Sequence, residues 1–101
     1  MIAERATIIL QRQAELLKRK QAQYATTDDL ANFRKAAALL GYMPNEQGCY
    51  EALKAMMAKH IAHIYNNDIG GCKVVESLED IINYCTIAIV QIERWEGMSR
   101  K

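Results

Sequence analysis

Proline occurs once in this chain, at Pro44, so almost no position is barred from a helix. Collagen-like repeats, low-complexity tracts and a proline-rich linker are all missing, which leaves nothing to divide residues 1–101 into more than one domain. The three cysteines, Cys49, Cys72 and Cys85, are odd in number and form no CxxC pair. That suits a reducing compartment better than a disulfide framework and predicts a cytoplasmic protein. Charge of one sign is missing too: thirteen basic against twelve acidic residues leave a net charge of +1, which argues against a nucleic-acid polymer or an anionic membrane as partner. No apolar run is long enough to cross a bilayer. Ile2 to Leu10, broken by Glu4 and Arg5, is not a signal peptide either.

Half of the residues are hydrophobic, and the breakers are few enough to predict an all-α fold. A long first helix is expected from Ile2 to about Gln23, with Ile2, Ala6, Ile9, Leu10, Leu16 and Leu17 on one face. Thr27, followed by Asp28 and Asp29, reads as the N-cap of a second helix that runs to Leu40 and stops at Gly41. YMPNEQG connects it to a third helix of roughly Cys49 to Tyr65, in which Met56 and Met57, like Met43 before it, read as core filler or interface. NNDIGG then makes the turn into a fourth helix, from about Val74 to Glu96, ending at Gly97. The architecture expected is a four-helix domain with long first and last helices.

The fourth helix carries the most information. Val74, Leu78, Ile81, Ile82, Cys85, Ile89 and Ile92 recur at helical spacing and read as its core stripe, while Glu76, Asp80 and Asn83 share the other side and face either water or a polar site. Ile87 and Val90 lie away from that stripe, making the later turns apolar nearly all round. Copies of the chain are therefore expected to pack there in a helix-mediated homo-oligomer; the alternative is that the first helix folds over that face.

Several groups can carry chemistry. Glu76 and Asp80, one helical turn apart, can hold a divalent cation or work as a base and its orienter, although acids near a helix start are also ordinary dipole partners. Lys59 and His63 share a face of the third helix with His60 beside them, a set suited to phosphate or a nucleobase edge and unlike the HExxH zinc pattern; the alternative is a solvated Lys59 with two partly buried histidines. Asn32 and Arg34 flank Phe33, which should point to the core with Leu30 and Ala37; the Arg34 fork matches phosphate geometry but is also at home in water. Tyr24 offers a ring on which a base can stack, and packing into the core is the equal alternative for it. The run Lys18, Arg19, Lys20 reads as a structural complement to the C-terminal dipole of the first helix. No glycine-rich phosphate loop, nucleophile elbow or cysteine nucleophile pattern is present.

YATTDDLANFRKAA, AMMAKHIAHIY and VESLEDIINY, in that order and covering most of residues 24 to 84, resemble a set of small phage and prophage proteins related to nucleotide metabolism. That set includes nucleotide-modification-associated proteins and relatives of the MazG-type all-α pyrophosphohydrolases. Within it, the sequence is most similar to the first-described Thoeris anti-defence sponge family, whose members sequester cyclic ADP-ribose-type signals made by bacterial TIR-domain enzymes without needing to cleave them. The resemblance implies a phage protein of the host cytoplasm that binds a small nucleotide and needs no cofactor. Lys59, His60, His63 and Arg34 would meet phosphates, Asn32, Asp80 and Asn83 would read ribose or base groups, and Tyr24 would stack.

The MazG-type pattern departs at one point. Those hydrolases hold magnesium with two acidic pairs on neighbouring helices, and VESLEDIINY supplies one pair only, Glu76 with Asp80 or Glu79; the partner helix carries Lys59, His60 and His63 instead. A binder without catalytic residues is therefore expected over the alternative, a magnesium-dependent nucleoside-triphosphate pyrophosphohydrolase using Glu76 and Asp80. A helical adaptor that binds only protein is the third reading.

Overall fold

The computed structural model describes residues 1–24 and 30–99, except for the side chains of Gln21, Gln23, Tyr24 and Ser99. Among the described residues the fold is all-α: α1 (Ile2–Tyr24), α2 (Ala31–Leu39), α3 (Glu46–Tyr65) and α4 (Val74–Ser99), with no strand. The first and last helices are long, as expected. The Thr27 cap and the stacking face of Tyr24 lie outside the described residues.

Local chemistry sets the observed boundaries. α2 closes in a Schellman motif, in which Gly41 takes a φ of 85° and the N–H groups of Gly41 and Tyr42 donate to the carbonyls of Ala38 and Ala37. α3 begins three residues earlier than the expected Cys49, because Asn45 accepts a hydrogen bond from the Gly48 N–H at 2.9 Å and caps the helix. A Cβ on Gly48 would lie 1.6 Å from the Met43 carbonyl oxygen, so only glycine lets the connection pass this closely over the first turn. Gly97 does not end α4, which continues to Ser99.

α3 and α4 form an antiparallel hairpin: His60 lies beside Asp80, while Glu46 at the other end of α3 lies near Ile92 and Trp95. α2 packs against α3, and the core lies between these three helices. Leu30, Phe33, Cys49 and Leu53 are buried there, with Met56, Met57, Tyr84 and Ile87 against them. The expected inward set of Leu30, Phe33 and Ala37 is buried as read, whereas Met43 is exposed. α1 packs on α4 and runs in the same direction, with Arg12 and Gln13 at the level of Glu79 and Asn83, and Leu17 and Lys20 further along with Thr86 and Val90. A radius of gyration of 15.1 Å exceeds the ~13 Å of a compact domain of this length, because α1 leans on one helix alone.

The face of α4 corrects the sequence reading. Its aliphatic stripe is not the core: Leu78 is 44% exposed, Ile89 60% and Ile92 40%, and Cys85 is exposed. Ser77, Asn83 and Gln91 are buried instead. α3 and α1 occupy the two sides of α4 that carry these polar residues, so the polar side turns inward. α1 lies beside the side bearing Ile87 and Val90, which line the space between α1 and α4, and Val90 stays exposed there.

Candidate functional site

Two neighbouring hollows meet at Asp80. The larger, a cleft of about 480 Å³ between α1, the start of α2 and the middle of α4, is lined by Asn32, Phe33, Asp80, Asn83 and Tyr84, with Lys20 and Arg94 contributing cations. The smaller, about 290 Å³, lies between the end of α3 and the start of α4 and is lined by Lys59, His60, His63, Lys73, Glu76, Ser77 and Asp80. Residues singled out from separate sequence segments thus come together around one carboxylate.

A row of rings joins the two. Phe33 meets Tyr84 edge-on, with centroids 6.4 Å apart at 84°, and Tyr84 packs against the His60 imidazole at 5.5 Å. His60 Nδ1 in turn lies 3.7 Å from Asp80 Oδ2. Burial, and secondly the Asp80 charge, push the Tyr84 phenol above its ordinary pKa, because both disfavour a phenolate at this place.

The far wall of the cleft is a polar relay. Asn83 Nδ2 donates to Gln13 Oε1 at 3.3 Å, and Gln13 Nε2 donates to Glu79 Oε2 at 2.6 Å, with Arg12 3.8 Å from the same carboxylate. Gln13 is 3% exposed, so this relay fixes α1 to α4 in a place where apolar contact alone would allow sliding. Asn83 Oδ1 is buried and meets no hydrogen-bonding group of the described residues. Glu79 faces α1, leaving Asp80 as the carboxylate that shares the smaller hollow with Glu76.

The floor of the smaller hollow is held by the α3–α4 turn. His63 Nε2–H donates to the Cys72 carbonyl at 2.7 Å, and Asn67 Nδ2 donates to the His63 carbonyl at 2.8 Å, so His63 is partly committed to closing the turn. Lys73 has a φ of 60°, a left-handed conformation that costs a non-glycine residue roughly 1–2 kcal/mol. That strain sits at a residue lining the hollow, as backbone strain at binding sites often does.

Arg34 joins neither hollow. Its Nη1 donates to the Pro44 carbonyl at 2.9 Å and its Nη2 lies 3.6 Å from Glu46, tying α2 to the start of α3. The cations of the cleft are Lys20 and Arg94. The sequence marks Lys20 as a dipole partner of the first helix; its place in the cleft depends on the α1–α4 packing, for which a lone basic run gives no signal. Tyr84, which no sequence pattern marks, stands with Phe33 as a described aromatic of the cleft. Apart from these two hollows, Gln91 is 1% exposed and neither its amide nitrogen nor its oxygen meets a hydrogen-bonding group of the described residues.

Among the described residues no three His, Cys, Asp or Glu side chains form a cluster that could hold a metal, and no helix is long and apolar enough to cross a membrane. Searched against known protein families, curated proteins and solved structures, the sequence and fold match none.

Proposed function

We propose that this chain is a phage anti-defence protein that binds a cyclic ADP-ribose-type nucleotide across the two hollows and sequesters it intact. The observation that carries the reading is the position of Asp80, which borders both a cleft with an aromatic wall and a hollow bearing Lys59 and Lys73. A nucleotide needs both environments. Its phosphates would be met in the smaller hollow by Lys59 and Lys73, with His60 and His63 beside them, while Glu76 and Asp80 border the same space and offset the two lysines. Its base and riboses favour the cleft, where Asn32, Asp80 and Asn83 offer donors and acceptors and Tyr84 offers an aromatic surface. At about 480 Å³, the cleft falls within the usual range of roughly 300–1,000 Å³ for small-ligand sites. Sequestration asks for affinity only, so preorganised donors suffice and no residue need activate water.

The similarity of YATTDDLANFRKAA, AMMAKHIAHIY and VESLEDIINY to the first-described Thoeris sponge family supports the same reading, as does the single carboxylate pair where MazG-type hydrolases use two. Within this reading the chain acts as a homo-oligomer in the host cytoplasm. Isothermal titration with glycocyclic ADP-ribose should give saturable heat, and chromatography of the heated complex should return the ligand unchanged. Absence of heat, or a cleaved product, would sink the proposal.

One observation favours a second reading. Glu76 and Asp80 line the same hollow, as a magnesium-dependent nucleoside-triphosphate pyrophosphohydrolase would require. Magnesium-dependent release of pyrophosphate that disappears in Asp80→Ala would select it over sequestration.

A further inference from the structure

A third hollow lies toward the other end of the α3–α4 hairpin, with Gln91 roughly 16 Å along α4 from Asp80. It measures about 240 Å³ and is lined by Glu46, Gln47 and Tyr50 from the first turns of α3 and by Gln91, Ile92 and Trp95 of α4. Gln91 and Trp95 stand one helical turn apart, as do Glu46 and Tyr50, so each helix brings a ring and a polar group to the same space. Gln91 is the unusual member. It is 1% exposed, and among the described residues neither its Nε2 nor its Oε1 meets a hydrogen-bonding group. A buried amide in that state lowers stability, and its presence in the wall of a hollow points to a partner from outside the chain.

We infer that this hollow is a second ligand site, which takes an uncharged flat heterocycle of the nucleobase class through the Gln91 amide. A primary amide presents a donor beside an acceptor. Nε2–H would donate to a ring nitrogen while Oε1 accepts from the N–H next to it, the two-bond pairing that a glutamine makes with the edge of adenine. Tyr50 and Trp95 supply the aromatic surface that such a ring packs on. The volume lies below the roughly 300 Å³ at which drug-sized ligand sites begin, so it suits one base and not a whole dinucleotide.

Charge selects the neutral ring. The two groups that would draw a cation each have one already: Arg34 Nη2 lies 3.6 Å from Glu46, and Lys54 Nζ stands 5.0 Å from the centre of the Tyr50 ring. A phosphate would meet the Glu46 carboxylate in the wall and is disfavoured. None of the six lining residues borders either hollow at Asp80, so this site and the proposed sequestration can fail separately.

Trp95 is the chain's one tryptophan, and its fluorescence therefore reports on this hollow. Titrating the full chain with adenine up to millimolar concentration should change that fluorescence saturably. Purine, which lacks the exocyclic amino donor, should bind at least about tenfold more weakly. Adenosine monophosphate should bind no more tightly than adenine; tighter binding by about tenfold would overturn the assignment of an uncharged ligand. Gln91→Met keeps the volume and should abolish the preference for adenine over purine, with helicity by circular dichroism unchanged. Should that variant lose helicity, the adenine and purine titrations of the wild type decide alone. Asp80→Ala should leave the adenine response as it is, and its loss in folded protein would move the signal to the other site. No saturable response to adenine, an equal response to purine, or a preference that survives in folded Gln91→Met would overturn the inference.

Discussion

His60 lies between Asp80 and Tyr84, with Nδ1 3.7 Å from the carboxylate and its ring 5.5 Å from the phenol ring. One imidazole thereby joins the charged hollow to the aromatic cleft, and α3 to α4. Burial, and secondly the Asp80 charge, raise the Tyr84 pKa at this junction.

The Tyr84 shift has a consequence for stability in alkali. Burial and Asp80 hold the phenol above its ordinary value of 10.0, so the folded chain keeps a proton that the unfolded chain releases. The resulting stabilisation is complete below pH 10 and is lost as pH rises through the folded value. Urea midpoints measured from neutral pH to well above pH 10 should fall more steeply for the wild type than for Tyr84→Phe. In Asp80→Asn the spectroscopic titration of Tyr84 should move down but stay above that of a solvated tyrosine, since burial is the larger cause.

The start of α3 offers a test of local geometry. Removing the cap in Asn45→Ala should cost ~1 kcal/mol. Gly48→Ala should cost more, about 3 kcal/mol or above, because its Cβ would collide with the Met43 backbone, which no rotamer change relieves. Urea denaturation of the two variants ranks them, and a smaller loss in Gly48→Ala than in Asn45→Ala would show that the connection can move aside.

Gln91 should be replaceable at a gain. Its amide is buried without a hydrogen-bonding group of the described residues nearby, an arrangement that costs on the order of 1–3 kcal/mol. Gln91→Met keeps the volume and removes the polar atoms, so the urea midpoint should rise by the equivalent of about 1 kcal/mol. A fall in the midpoint would mean that the amide is satisfied in solution.

How far these features are readable from sequence differs between local and tertiary ones. Gly41 and the turn before α4 are legible because αL caps and tight turns depend on a few adjacent residues. The side of α4 that is buried is not. Period marks Leu78, Ile82, Cys85 and Ile89 as one stripe, but what covers a stripe depends on other helices, and here α1 and α3 take the sides bearing Asn83, Ser77 and Gln91. The candidate site was readable where its members share a helix face, as Lys59 and His63 do. It was not readable where they come from distant helices, as Lys20 and Tyr84 do. Arg34 shows the converse: its fork suits phosphate, yet the connection ending at Pro44 brings a carbonyl and Glu46 to it first.

That difference separates two classes of variant. Arg34→Ala should leave nucleotide affinity within about twofold while lowering stability by roughly 1 kcal/mol, since it removes a hydrogen bond and an ion pair of the α2–α3 corner and nothing from either hollow. Asp80→Ala, Asn83→Leu and Lys59→Ala should weaken binding of glycocyclic ADP-ribose about tenfold or more each, because each removes a polar partner from a hollow the ligand would fill. Asn83→Leu also breaks the link to Gln13, so its loss of stability must be measured beside its loss of affinity. Titration calorimetry with a matched melting curve for each variant resolves the two effects. If Arg34→Ala weakens binding as much as Asp80→Ala, the ligand lies at the α2–α3 corner, outside the two hollows around Asp80.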